Sequence, residues 1–183
     1  MNATSKAEIT PRKLLLDQFD IAWSLADYHL GSLSTEECLW RPTRPGLHVH
    51  RHNDGIWLAD WPEIEGYDIG LPSIAWTTWH ICYWWTNAIA GMNGKPVVDR
   101  ADIAWPGSAE QTRTAIEGLR ARWRSVVEGA SENDLEEIKA GSWPMPNCSV
   151  AGIAAWLNLE LMKNAAEIGA IRFLYATRQN RGA

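Results

Sequence analysis

Between Ile69 and Gly94 the chain carries no Asp, Glu, Lys or Arg, and the middle of that run, Ser73-Ile-Ala-Trp-Thr-Thr-Trp-His-Ile-Cys-Tyr-Trp-Trp-Thr-Asn87, sets one histidine among four tryptophans. A segment this apolar must be covered by the rest of the chain, so it predicts a central helix around which other elements pack. Wound at about 100° per residue, it puts Ser73, Trp76, Tyr83, Trp84, Asn87 and Gly91 on the same side as His80. An imidazole buried among aromatics loses its water and stays neutral unless an anion is near, and neutral imidazole is the commonest protein metal ligand. Trp76, Trp79, Tyr83 and Trp84 are read as the walls of a pocket around it.

The run is long enough to span a bilayer, but Pro72 and Gly91-Met-Asn-Gly94 bracket a shorter helix. Thr77, Thr78, Thr86 and Asn87 interrupt its apolarity, and Trp and Tyr prefer membrane interfaces to the bilayer centre. The expectation is the core helix of a bundle with no membrane partner, or a helix that also faces a second subunit and makes a homodimer. A chain of 183 residues fits one domain, 1–183. A net charge of −5 argues against nucleic acid as a partner. The stripe Arg113, Glu117, Arg120 and Arg124 reads as a solvated, ion-paired helix face. Cys38, Cys82 and Cys148 are odd in number and widely spaced, which suits a reduced cytoplasm and marks none as a nucleophile. The first residues lack the apolar core of a signal peptide.

Along the chain, a first helix is predicted from Thr10, with Pro11 in its first turn, to before Gly31, buried along Leu15, Phe19, Ala22, Trp23 and Ala26. Ser34-Thr-Glu-Glu37 has capping-box spacing and opens a short helix ending near Leu39-Trp40. Residues 41–72 form a long loop, with a hairpin turning at Asn53-Asp54-Gly55 that sends His48, His50 and His52 to one side. Those histidines are a rival metal site, although exposed, unliganded histidines are the commoner outcome for such a loop. A second helix covers 73–90. A third opens at Ser108, closes near Gly129, and buries Ile116, Leu119, Trp123 and Val126. After an acidic turn at 131–137 and Trp143-Pro-Met-Pro, Ser149 caps the last helix, which runs to about Thr177. The fold class is all-α, an up-and-down four-helix bundle with the loop 41–72 between helices one and two.

On the last helix Asn164 and Glu167 fall within about 40° of Glu160 on the wheel, inside a stripe with Ile153, Leu157 and Ile171. A buried carboxylate must be paired, protonated or metal-bound. His80 with Glu160, Asn164 and Glu167 could hold a divalent metal (Zn, Ni or similar) between facing helices. Alternatively the carboxylates pair internally with His80, Lys163 or Arg172, without metal.

Pro72-Ser-Ile-Ala-Trp-Thr-Thr-Trp-His80, Asn164-Ala-Ala-Glu-Ile-Gly-Ala-Ile-Arg172 and the connector Leu33-Ser-Thr-Glu-Glu-Cys-Leu-Trp-Arg-Pro42 together resemble the DinB/YfiT-like four-helix-bundle superfamily. The resemblance implies a divalent metal held by one histidine on the second helix and two on the last. His80 matches the first position, whereas Lys163 and Glu167 stand at the other two. It also implies, for some relatives, transferase or isomerase chemistry with low-molecular-weight thiols. Two functions are therefore carried forward. One is a metal-dependent enzyme of thiol-transferase or hydrolase type with an altered metal site. The other is a non-catalytic bundle that binds a small apolar ligand or a partner through its tryptophan-rich pocket.

Overall fold

A computed structural model describes residues 9–64, 66–138 and 145–178. In order, the elements are helices α1 (Pro11–Leu30) and α2 (Thr35–Leu39), strands β1 (Val49–Arg51) and β2 (Trp57–Ala59), and helices α3 (Ile74–Met92), α4 (Ala109–Gly129), α5 (Glu132–Glu136) and α6 (Val150–Arg178). The described residues form an all-α bundle of four long helices with one small hairpin. Segment 1–8 and the Trp143-Pro144 part of the expected connector lie outside the described residues.

The helix starts follow from hydroxyl caps, which satisfy backbone donors that have no partner inside the helix. Thr10, Ser73 and Ser108 accept from the N–H groups of Lys13, Trp76 and Gln111, and Ser149 Oγ accepts from Gly152 N at 3.1 Å. The acidic turn forms α5, closed by a reciprocal Ser131–Asp134 capping box. The hairpin forms as expected, with Val49 opposite Ala59 and Gly55 in the left-handed region at φ 88°.

Hydrogen bonds and ring contacts across the bundle set the helix directions. Asn158 Nδ2 donates to Leu15 O at 2.9 Å and Arg172 donates to His29 O at 2.7 Å, so α6 runs parallel to α1. Arg113 bonds Asp27 and Arg124 bonds Asp20, so α4 runs against α1. Trp84 packs on Trp156 at 4.9 Å while His80 neighbours Asn164, so α3 runs against α6. The order is up, down, down, up, which corrects the alternating up-and-down order.

The physical reason is the connection after α3. It is a crossover that climbs back along α3 before α4 begins. Asn87 grips the backbone of Val98, accepting at 2.6 Å and donating at 3.2 Å; Trp79 donates to Ile103 O at 2.6 Å; Trp105 donates to Thr78 Oγ1 at 3.1 Å. Residues 87, 79 and 78 thus meet 98, 103 and 105 in turn.

With this strap on one side and α4 and α6 on others, every residue from Ile74 to Tyr83 is buried. Helix α3 is therefore wrapped within the chain and offers no broad face to a second subunit, contrary to that expectation. Around it pack Phe19, Ala22 and Ala26 of α1 and Ile116, Leu119 and Trp123 of α4, with Val127 in the place expected for Val126. The arginine stripe of α4 proves to be the α1–α4 seam. Arg113 and Arg124 pair with α1 carboxylates, and Arg120 lies over the Trp23 ring at 4.6 Å. Among the described residues no helix is long and apolar enough to cross a membrane.

Candidate functional site

Ser73 caps α3 and fixes the first turns, which place Trp76 and His80 one above the other. Their rings stack at 4.9 Å with an interplanar angle of 19°. Trp84, one turn further on, donates its indole N–H to His80 Nε2 at 2.6 Å. Since indole nitrogen only donates, Nε2 is an acceptor and the neutral ring carries its hydrogen on Nδ1. Burial pushes the His80 pKa down to about 3, and the nearby Lys163 charge adds to this; the Asn164 amide acts in the opposite direction. His80 Nδ1 and Asn164 Oδ1, a complementary donor and acceptor in neighbouring buried side chains, nevertheless make no hydrogen bond of normal geometry.

The two carboxylates do not join them. The buried stripe of α6 runs through Leu157, Leu161, Asn164, Ile168 and Ile171, centred about 60° round the wheel from Glu160. The rotation arises because α6 also buries a row of small residues, Ala154, Asn158, Ala165 and Gly169, which lets α1 come close. A Cβ on Gly169 would stand 2.6 Å from the His29 ring. Glu160 and Glu167 move to the edge, with side chains 22% and 36% exposed, and Lys163 lies between them at 3.3 and 3.8 Å. Arg172, one of the partners considered for these carboxylates, turns the other way to Glu37 at 2.9 Å.

The side chains as they stand do not fit a divalent metal. The Nε2 lone pair of His80 is used by Trp84, a lysine ammonium holds the carboxylates, and no three His, Cys, Asp or Glu residues converge as a ligand set among the described residues. Of the rival histidines, His48 and His50 meet edge to face at 5.6 Å, but no third ligand completes a metal set with them among the described residues. His48 turns inward to hydrogen-bond Ser73 at 2.8 Å, with its pKa lowered to about 4 chiefly by burial, while His50 pairs with Asp60 at 2.9 Å and His52 is exposed. Cys38 and Cys82 are buried thiols pushed up to about 12, chiefly by that burial, so neither is a ready nucleophile.

What the fold does build beside His80 is a cavity of about 450 Å³ between the loop before α3 and the outer edge of α6. Its walls are Leu47, Tyr67, Ile69, Pro72 and Trp76, with Lys163 and Glu167 on the far side. The loop is held in shape by Thr43, whose hydroxyl accepts from Leu71 N at 2.8 Å and donates to Leu71 O at 3.2 Å. Gly70 has φ 81°, and a Cβ there would stand 2.3 Å from Pro45 O, so only glycine fits. Of the four aromatics expected to line one pocket, only Trp76 does. Trp79 and Tyr83 stack on each other at 5.3 Å under Trp61, and Trp84 is wedged between His80 and Trp156. The loop residues Leu47, Tyr67 and Ile69 escaped sequence reasoning because no periodicity marks a loop wall. Lys163 was marked as a possible partner of the two carboxylates, which it is, and as the residue at an expected ligand position, but not as a cavity wall.

Fold and site together define a helical bundle with a crossover, a cavity at the start of α3, and a histidine where α3 faces α6. That class has a name here: a sequence model of the DinB superfamily matches residues 18–168, and the chain belongs to that superfamily. No curated protein is significantly similar to it.

Proposed function

We propose that this chain is a ligand-binding DinB-superfamily protein that works without a metal. It takes a small, largely apolar molecule in the cavity against Trp76, with the ligand's polar end at the Lys163–Glu167 pair. The observation that carries this reading is the Trp84–His80 hydrogen bond. It uses the imidazole lone pair that a metal would need, while Lys163 supplies a fixed positive charge between the two carboxylates. A cavity of about 450 Å³ with apolar walls and a few polar groups at one side is typical of a small-molecule site.

The test has two arms. Metal content is measured on protein purified without a nickel column, and a library of small aromatic and amphipathic compounds is screened by thermal shift and tryptophan fluorescence. The expected result is no stoichiometric metal, with hits whose effect is lost in Trp76→Ala and weakened in Lys163→Met. Stoichiometric zinc or nickel that disappears in His80→Ala would overturn this reading in favour of the altered metalloenzyme.

A further inference from the structure

Helices α1 and α6 lie side by side and parallel, and each turns an apolar row to the outside. On α1 the row is Leu14, Ile21 and Tyr28; on α6 it is Leu159, Ala166 and Phe173. Both rows step by seven residues, close to two helical turns, so each stays on one face for the length of the helix. Ile21, Tyr28 and Phe173 are 63%, 77% and 74% exposed, which is unusual for large apolar side chains repeated in register on adjoining helices.

We infer that this two-helix face is the interface with a second copy of the chain. The occupant follows from size, spacing and charge. A helix of 20 residues is about 30 Å long, and two helices are about 20 Å wide, so the face offers about 600 Å² per copy. A symmetric pair would then bury about 1,200 Å², which reaches the range of specific interfaces. A two-fold axis in the plane of the face lays each row of one copy along a row of the other, and side chains about 10 Å apart on one surface fit between those of its equal. The charges beside the rows are already paired within each copy, Lys13 with Asp17 at 2.6 Å and Lys163 with Glu160 at 3.3 Å. A chain of net charge −5 can therefore meet its own kind there without opposing unpaired charges.

Sedimentation equilibrium over a hundredfold concentration range reads the outcome directly. The wild type is expected at twice its 20.5 kDa chain mass, and Ile21→Glu and Phe173→Glu, each present twice in the pair, should weaken association by at least about 100-fold. Both sites are solvent-exposed in the single chain, so the variants should keep wild-type helical circular dichroism and melt cooperatively as monomers. Ile21→Leu, which keeps the row apolar, should still pair. A wild type that is monomeric throughout overturns the proposal, even if the same rows then bind phospholipid vesicles or another protein. A dimer untouched by both glutamate variants overturns it as well.

Discussion

At the scale of single residues, two histidines make the fold sensitive to acid. His80 and His48 both have pKa values lowered by burial, from 6.5 to about 3 and about 4. The unfolded chain recovers ordinary histidines, so between pH 6.5 and about 4 it binds more protons than the folded chain. The stabilisation is therefore complete above pH 6.5 and lost as pH falls through that window, by up to about 1.4 kcal/mol per pH unit for each residue. Urea midpoints measured from pH 7.5 to 4.5 should hold to about pH 6.5 and fall below it, and His80→Gln should flatten that slope by about one proton. The Trp84 indole is the partner that makes the neutral ring tolerable. Trp84→Phe should destabilise the protein by about 1–3 kcal/mol, since it leaves Nε2 buried without a donor, and denaturant unfolding at pH 7.5 would measure it. Gly169 works by absence. Gly169→Ala sets a methyl against the His29 ring and should lower stability by up to about 1 kcal/mol as that ring is pushed aside.

At the scale of elements, the crossover between α3 and α4 decides the topology, and Asn87 is its first fastening. The side chain is fully buried and satisfies both backbone groups of Val98. Asn87→Ala should reduce stability by about 2–3 kcal/mol and raise hydrogen exchange along 95–105 more than in α1 or α6. Uniform acceleration throughout the molecule would mean that the strap is not a separate unit. The hydroxyl caps belong to this scale too, and they were readable because a cap is a local device: Thr10, Ser73, Ser108 and Ser149 each act on a donor three residues away.

At the scale of the whole molecule, Arg172 joins α6 to the end of α1 and to α2. It bonds Glu37 at 2.9 Å, the carbonyl of His29 at 2.7 Å and the hydroxyl of Ser32 at 3.0 Å. Glu37 is nearly buried, so Arg172→Ala leaves its carboxylate without a counter-charge and should cost about 3–5 kcal/mol. Chemical denaturation would show the loss, and the double variant Arg172→Ala, Glu37→Gln should recover part of it. Recovery of nothing would locate the effect in packing of the arginine stem instead.

The amino-acid sequence alone determined the four long helices, their ends, the hairpin at Asn53-Asp54-Gly55, the central place of the uncharged helix and the membership that His80 and the Asn164–Arg172 segment suggested. These are properties of short spacing and of periodic apolarity, and no distant residue can easily overrule them. Three things were decided only in three dimensions. The crossover's path sets the helix order, and nothing in residues 93–108 specifies a direction until Val98, Ile103 and Trp105 find their partners on α3. The rotation of α6 moved Glu160 and Glu167 out of the core, because a helix that packs on two neighbours buries an arc wider than one stripe, and small residues such as Ala165 and Gly169 extend it silently. The use of His80 Nε2 by Trp84 was visible as an i, i+4 spacing, but choosing that hydrogen bond over a metal required both rings to be fixed by their surroundings. Burial selects between such alternatives, and burial belongs to the assembled fold.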